Sequence, residues 1–419
     1  MESKRLGDVF VVGRLPDVTY NPRNGRGLED DLRAYLEDRG TILSVSGATK
    51  TGKTVLIRSV APNALTLSGG AILSAQDMWD QLAEHLGLWT EETARTTESI
   101  GSTTGINGGL NLGLVNTQGN ASEQVATNRE NAGSRRISSR VAVRNYLSRV
   151  QRDIFIDDFH YIDRDVQLEI VRGLKDLVFD GLGVVFASVP HRAFDAVRVE
   201  KEMTGRVTHL RVAQWSEDEL ETIAHLGFEV LNVSDPSGAL AKRLAKESFS
   251  SPHLMQEFCK RLCRNNGVQE TAAPTKFLQS PPDWSSFFME TAVDTSKAAF
   301  EILKTGPRQR SDRMVRTLQG GHKTDIYGAV LAAIAHTGPR LEIPYEDLRA
   351  ALREVLIDEV PQRHEVTRVL DQMTQIAKNK VEGEPVLEYD DEMSRLHISD
   401  PYFAFYLRWG ETGLQSTAS

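Results

Sequence analysis

One stretch decides the fold of this chain: Gly47-Ala48-Thr49-Lys50-Thr51-Gly52-Lys53-Thr54. It fits the pattern G-x-x-x-x-G-K-[ST] at every fixed position. A β-branched run from residue 41 to residue 46 leads into it, and an amphipathic helical segment follows from Val55. In such a loop the backbone N–H groups and the helix N-terminus bind phosphates. The stretch therefore predicts a strand, a phosphate-binding loop and a helix.

The loop also assigns roles to two side chains. Lys53 is expected to neutralise the β- and γ-phosphates, and the Thr54 hydroxyl is expected to bind Mg²⁺, so that the predicted cofactors are ATP and Mg²⁺. The residues of this segment predicted to bind the nucleotide are contiguous: Gly47, Ala48, Thr49, Lys50, Thr51, Gly52, Lys53, Thr54 and Val55.

The second element of the predicted site is acidic and follows about 100 residues later. The apolar run Ile154-Phe155-Ile156 ends in Asp157-Asp158. Asp157 is predicted to hold Mg²⁺, and Asp158 is predicted to act as the general base that deprotonates the attacking water. Asp is shorter than the Glu usual in this role, so slow hydrolysis is expected. The alternative is that Asp158 only caps the following turn.

A third polar position closes another apolar strand. Residues 184–187 end at Ser188, and a polar side chain there can sense the γ-phosphate or place the water. Ser188 is the first choice and His191 the second.

Strand and helix patterns alternate through residues 1–215, which predicts an α/β fold with a parallel sheet covered by helices on both faces. Residues 216–270 are helical and predict a lid, residues 271–326 a linker with helices, and residues 327–419 a winged helix-turn-helix. The segment 98–125 is rich in Gly, Asn, Thr and Ser. It is either a flexible insertion or a loop that contacts a partner.

Composition limits the class of protein. Of the 419 residues, 40% are hydrophobic and 26% are charged, as is usual for globular proteins. The sequence contains no run of 18 apolar residues, the length needed to span a bilayer. The N-terminus lacks the features of a secretory signal, so a cytoplasmic location is expected. Cys259 and Cys263 are too few for a zinc site and predict core packing. The net charge of −9 opposes sequence-independent binding to nucleic acid.

Residues 15–265 resemble AAA+ and STAND-type P-loop ATPases, closest to the initiator-like, origin-recognition-like group of bacteria and archaea. Besides the motifs above, the resemblance rests on Gly205-Arg206-Val207 before a Trp-Ser-Glu-Asp-Glu-Leu helix start at residue 215, and on Ser251-Pro252-His253. It implies that Arg206 is an arginine finger that reaches the γ-phosphate held by a neighbouring subunit, and hence a homo-oligomer. The alternative is that Arg206 is a surface or intrachain residue.

The resemblance carries two further site residues. Tyr20 lies where the family covers the adenine, so it is expected to stack on the base. His253 stands where the family often has an arginine in its lid, and is expected to contact a phosphate, with a full charge only when protonated.

Charge bears on whether the winged helix binds a protein or DNA. Residues 321–419 hold ten basic and seventeen acidic residues, a net charge of −7, which favours a protein partner over DNA. Arg363, Arg368 and Lys378 on the expected recognition helix are the argument for DNA.

Three hypotheses follow: an ATP-hydrolysing switch that controls a partner or effector, a DNA-associated initiator or loader, and a nucleotide-dependent scaffold that barely turns over. The sequence has no nuclease, protease or NADase constellation, so such an output would come from a partner. Bacterial members of such groups often act in antiviral defence beside separate effectors.

Overall fold

The computed structural model describes residues 3–88, 138–189, 206–293, 296–307, 314–381 and 385–412. The chain forms two compact units. The sheet unit comprises Arg26–Gly47 and Lys53–Val212, and the helical unit comprises Met1–Gly25, Ala48–Gly52 and Ala213–Ser419. The insertion 98–125, His191 and Gly205 lie outside the described residues.

The strands are, in chain order, β1 (Ile42–Ser46), β2 (Leu65–Ser68), β3 (Ile154–Asp157), β4 (Val184–Ser188), β5 (Val207–Arg211), β6 (Val233–Ser234), β7 (Lys276–Phe277), β8 (Arg316–Thr317), β9 (Lys323–Thr324), β10 (Glu342–Pro344), β11 (Leu387–Asp390) and β12 (Arg395–Ile398).

The α-helices are, in chain order, α1 (Leu6–Val9), α2 (Leu28–Asp38), α3 (Lys53–Val60), α4 (Ala75–His85), α5 (Ser139–Leu147), α6 (Arg164–Phe179), α7 (Glu217–Val230), α8 (Ala239–Lys246), α9 (Pro252–Asn265), α10 (Trp284–Val293), α11 (Lys297–Thr305), α12 (Ile326–His336), α13 (Tyr345–Val355), α14 (Arg363–Lys380) and α15 (Pro401–Trp409).

The sheet unit is built on a five-stranded parallel sheet in the order β2-β3-β4-β1-β5. Side chains alternate along its strands, so Ile154 and Ile156 join one buried cluster with Trp79 of α4 and Leu174 of α6. Phe155 joins the other cluster, which includes residues of α2 and α3. The sheet is therefore covered by helices on both faces, and the predicted α/β fold is confirmed.

In the helical unit, the region after residue 215 begins with the helices α7, α8 and α9, and the starts of α7 and α9 are encoded locally. The Ser216 hydroxyl accepts a hydrogen bond from the backbone N–H of Glu219, and the Glu219 carboxylate accepts one from the backbone N–H of Ser216. This capping box begins α7. Ser251 caps α9, with Pro252 at its first position. Cys259 and Cys263 are free, buried thiols in the core.

The C-terminal region folds as a winged helix. Helices α12, α13 and α14 are followed by the antiparallel hairpin of β11 and β12, and β10 completes a three-stranded sheet in the order β10-β12-β11. The predicted winged helix is confirmed.

A buried carboxylate joins α15 to the end of α8. Glu247 is fully buried and lies 3.1 Å from the Nε atom of Arg408, and the indole of Trp409 donates to it at 3.0 Å. A buried charge is stable only when it is paired in this way, so the C-terminal helix and the three-helix region belong to one packed unit. None of the helices within the described ranges is both long and apolar enough to cross a membrane.

Candidate nucleotide site

The predicted phosphate-binding loop lies at the carboxyl edge of the parallel sheet. Strand β1, between β4 and β5, ends at Ser46, and α3 begins at Lys53. The backbone N–H of Gly47 donates to the Ser188 carbonyl at 3.2 Å, which fixes the start of the loop beside the end of β4. Ligands of open α/β sheets bind at this edge, because the loops there are not tied into the sheet.

Lys53 is buried at 7% exposure, and its ammonium donates to the Gly47 carbonyl at 2.9 Å. Its charge is therefore held over the loop, where phosphates would be bound.

The apex of the loop takes left-handed backbone conformations at two residues. Gly52 has a φ of 91° and Lys50 a φ of 61°. Glycine adopts this region without cost, whereas a residue with a Cβ is strained by about 1–2 kcal/mol. The Thr51 hydroxyl closes the turn by donating to the Ala48 carbonyl at 2.7 Å.

Two oxygen donors for a metal ion lie side by side in the sheet unit. The Thr54 hydroxyl donates to the Asp157 carboxylate at 2.6 Å, although the two residues are 103 positions apart. A hydroxyl and a carboxylate are the hard oxygen ligands that Mg²⁺ prefers, and it retains waters and phosphate oxygens besides. The residues therefore fit a nucleotide-bound Mg²⁺. Among the described residues, no group of three or more His, Cys, Asp or Glu could hold a metal by itself.

Asp158 follows β3 in a left-handed conformation, with a φ of 52°. Its side chain makes no capping hydrogen bond to the 3-10 turn Phe159–Tyr161. The turn itself is held by Phe159, whose ring stacks on Phe186 with centroids 4.0 Å apart. The strained backbone thus keeps Asp158 at the edge where β3 ends.

Sequence reasoning missed Gly69, which directly follows the neighbouring strand β2 and lies against the backbone of Asp158. A Cβ atom at residue 69 would lie 2.3 Å from the Asp158 carbonyl oxygen and 3.0 Å from that of Asp157. Contacts this short with backbone atoms cannot be relieved by a side-chain rotation. Gly69 therefore permits the chain after β2 to lie against the two acidic residues.

Ser188 ends β4, in register with Ser46 and between the strands that carry the loop and Asp157. It is 3% exposed, and its hydroxyl has no hydrogen-bond partner within the described part of the chain. Buried hydroxyls are normally paired. This hydroxyl is thus available to bond a water or phosphate oxygen, and its predicted role stays a prediction.

Tyr20 is half-buried and lies between two anchored neighbours in the helical unit. Thr19 accepts a hydrogen bond from Gln256 of α9 at 2.7 Å, and the Asn21 amide donates to the Glu219 carbonyl of α7 at 2.9 Å. The segment predicted to cover a base is thereby attached to two helices of the same unit.

Arg23 and Trp215, both missed at the sequence level, extend this attachment. The Arg23 guanidinium is 5% exposed, donates to the Glu219 carboxylate at 2.9 Å and lies 4.7 Å from the Trp215 ring centroid. The indole of Trp215 donates to the Thr51 carbonyl at 2.8 Å. Hydrogen bonds and a cation–π contact thus connect the Tyr20 segment, the start of α7 and the loop apex.

His253, at the start of α9, contacts a tyrosine of the C-terminal helix α15. Its Nδ1 atom is hydrogen-bonded to the Tyr402 hydroxyl. Burial lowers the pKa of its imidazole, the charge of Lys50 lowers it further, and Asp400 opposes this effect. Burial and Lys50 thus favour the neutral form of His253, which lies in a cluster of side chains about the loop apex.

Arg206 is exposed and lies just before β5, at the end of the strand opposite to the loop. Ile42 of β1 pairs with Val207 of β5, and Ser46 pairs with Arg211. The two ends of β5 are therefore about 13 Å apart along the strand. Arg206 is thus placed away from the loop that follows Ser46 of its own chain. Arg211, which the sequence did not single out, lies at the loop end of the strand.

No family model matches the sequence, and no curated protein matches it. Solved structures are similar at low identity. Cdc6p from Pyrobaculum aerophilum shares 12% identity, with a TM-score of 0.43 and coverage of 96% of this chain and 97% of that one. The ORC1 protein of Aeropyrum pernix, solved in complex with DNA, has a TM-score of 0.44 and 12% identity over 97% of this chain and 96% of that one.

A Signal Transduction ATPase with Numerous Domains from Pyrococcus horikoshii is also similar, with 11% identity and a TM-score of 0.34 over 90% of this chain and 41% of that one. At these identities and TM-scores the similarities carry no argument, and the fold stands on the elements described above. The strand order β2-β3-β4-β1-β5, the loop between β1 and α3 and the C-terminal winged helix give this chain the fold of a P-loop NTPase followed by a winged helix.

Proposed function

We propose that this protein binds ATP with Mg²⁺, hydrolyses it slowly, and uses the nucleotide to set the state of its helical unit, through which it controls a protein partner or effector. The observation that carries the proposal is the set of groups at the carboxyl edge of the sheet. A buried lysine, a hydroxyl–carboxylate pair and a second carboxylate stand at the ends of β1 and β3, on either side of Ser188.

Each of these groups has a role in phosphoryl transfer to water. The Lys53 ammonium neutralises the β- and γ-phosphates, and Thr54 and Asp157 hold Mg²⁺, which when bound offsets the phosphate charge. The Asp158 carboxylate accepts the proton of the attacking water, and the Ser188 hydroxyl orients that water. The short side chain of Asp158 limits its reach, which accounts for slow turnover.

Gly69→Ala is expected to lower the turnover number for ATP at least tenfold with less than a threefold change in nucleotide affinity. The added Cβ would overlap the Asp158 carbonyl and displace the base, while the loop that binds phosphates is unchanged. Steady-state hydrolysis and titration calorimetry measure the two quantities.

Gly70→Ala is the matched control, because a Cβ at that residue would meet only the Ser68 hydroxyl, at 3.9 Å. Equal turnover of the two variants would mean that Gly69 does not position Asp158.

The switch rests on contacts of the loop apex within the helical unit. Thr51 accepts from Trp215, and Trp215 stacks with Arg23, which is bonded to the start of α7. The predicted base-covering segment around Tyr20 is attached to the same helices. A nucleotide that contacts both the apex and Tyr20 would therefore act on the unit that includes the winged helix.

A protein partner is favoured over DNA by what two basic residues of α14, Arg363 and Lys378, contact. The Arg363 guanidinium lies 4.7 Å from the Tyr345 ring centroid and 3.7 Å from the Glu346 carboxylate. Lys378 forms an ion pair with Glu388 of β11. Phosphate binding would require these paired cations to exchange partners, in a region whose net charge is −7.

Self-association is proposed from the position of Arg206. Since this side chain is exposed at the far end of β5, it would complete a site of a neighbouring copy rather than its own. Arg206→Ala is then expected to leave nucleotide affinity of the monomer within twofold, but to reduce turnover in the assembled state by about 10³-fold or more, as for other arginine fingers. Because assembly and ATP binding are linked, ATP-dependent assembly should weaken as well.

Mass photometry with a non-hydrolysable ATP analogue measures assembly, and Arg149→Ala, an exposed arginine of the same unit, is the control. Mixing the Arg206→Ala and Asp158→Asn proteins should restore part of the turnover, since a mixed interface joins an intact finger to an intact base. Absence of the rescue, together with wild-type assembly, would contradict action in trans. Hydrolysis that requires duplex DNA would favour the DNA-associated loader instead.

A further inference from the structure

Lys50 occupies a position of the loop where the backbone favours glycine. Its φ of 61° lies in the left-handed region, and its side chain is one-third exposed. Strain of this kind persists only when surrounding contacts hold the residue in place. The contacts of the Lys50 ammonium therefore show what this lysine does at the loop apex.

Those contacts come from the C-terminal helix. The Lys50 ammonium lies 2.7 Å from the Asp400 carboxylate and 4.3 Å from the centroid of the Tyr402 ring. The two bonded residues are 350 positions apart, and both belong to the helical unit. The Tyr402 hydroxyl is in turn bonded to His253 of α9, so that the ring is held against the ammonium.

Asp400 is itself fixed by the helix that it begins. It is the N-cap of α15, and its carboxylate accepts a hydrogen bond from the Tyr402 backbone N–H at 2.9 Å. Its side chain is 17% exposed, so solvent screens its charge only in part. A negative charge is thereby presented to the apex of a loop that is proposed to bind phosphates.

This charge has two consequences for an anionic ligand. It neutralises Lys50, which would otherwise attract phosphates, and it repels the phosphates directly. Because ATP carries one more negative charge than ADP, and its additional phosphate also enters the loop, both consequences weaken the binding of ATP more than the binding of ADP.

We propose that Asp400 is a specificity-determining residue for the nucleotide, which weakens the affinity of the loop for ATP relative to ADP by forming an ion pair with Lys50. The proposal rests on the proposed function and adds a route for its regulation. Binding of ATP competes with the Lys50–Asp400 pair, so a partner that displaces α15 from the loop raises the affinity for ATP, and ATP in turn favours that displacement.

Asp400→Asn tests the proposal, since Asn removes the charge but caps a helix as well as Asp does. The affinity of the variant for ATP should rise about three- to tenfold, as expected for a unit charge close to the ligand at intermediate dielectric. The affinity for ADP should rise less, so that the ratio of the two dissociation constants shifts toward ATP. Titration calorimetry with each nucleotide in the presence of Mg²⁺ gives both constants.

Asp325→Asn is the matched control, because Asp325 caps α12 of the same unit with its side chain in the same way. Lys50→Met should have the opposite effect and weaken ATP binding, because it leaves Asp400 unneutralised. If Asp400→Asn folds poorly, Asp400→Ser provides another uncharged cap.

The outcomes separate the two proposals. If the wild-type protein binds both nucleotides and Asp400→Asn binds them with the same constants as Asp325→Asn, the role of Asp400 is refuted and the proposed function stands. If neither the wild type nor any variant binds ATP or ADP, the proposed function fails and this inference fails with it. A selective gain for ATP in the Asp400 variants supports both.

Discussion

Asp158→Asn is expected to lower the turnover number for ATP by about 10²- to 10⁴-fold, the range attributed to a general base. The substitution removes the proton acceptor and preserves the size of the side chain. Asn also tolerates the left-handed region better than other residues with a Cβ, so the φ of 52° at this position adds little strain. The affinities for ATP and Mg²⁺ should stay within about threefold of the wild type.

Asp157→Asn is the matched control, because Asp157 is the last residue of β3 and directly precedes Asp158. Because the Asp157 carboxylate lies beside the Thr54 hydroxyl, this change should weaken Mg²⁺ binding while the base is retained. Turnover measured across a Mg²⁺ titration distinguishes the two variants. If excess Mg²⁺ restores Asp158→Asn but not Asp157→Asn, the two roles have been assigned to the wrong residues.

Lys53→Ala is expected to weaken the binding of ATP by at least about 10²-fold, because it removes charge-assisted hydrogen bonds to two phosphates, each worth about 1.5–3 kcal/mol. The buried ammonium is already held over the loop by the Gly47 carbonyl, so little ordering of the side chain is needed on binding. Titration calorimetry with a non-hydrolysable analogue measures the loss directly.

Arg58→Ala serves as the control, since Arg58 is an exposed cation in the last turn of the same helix, α3. It should bind the analogue as the wild type does. Unchanged affinity in Lys53→Ala would show that the phosphates are not bound at this loop, and the proposed function would have to be abandoned.

The groups of the candidate site that the sequence predicted are those encoded by short, consecutive patterns. The loop Gly47–Thr54 has fixed glycine spacing, and its flanking strand and helix have the expected apolar periodicities. Asp157 ends a buried strand and Asp158 follows it, so their place at the carboxyl edge of a parallel sheet follows from the sheet type alone. The same is true of Ser188.

The winged helix was also predictable from local signals, since three helical patterns precede an alternating hairpin. Its charge balance could be counted from the sequence, but the ion pairs of Arg363 and Lys378 could not, because they depend on which side chains the packing brings together.

Three features of the site were decided only by the tertiary structure. Whether Arg206 or Arg211 lies near the loop depends on the register of β5 against β1, which no pattern within either strand specifies. The requirement for glycine at residue 69 arises from a carbonyl oxygen 89 positions later in the chain.

The third feature is the ion pair of Lys50. Within the loop pattern Lys50 stands at an unrestricted position, and Asp400 has the local signature of a helix cap and nothing more. Only the packing of α15 against α9 and its neighbours brings the two charges together across 350 residues. Local patterns determine which backbone a segment adopts, whereas the partners of a charged side chain depend on the long-range packing of those segments, and in this protein that packing decides what the phosphate-binding loop contacts.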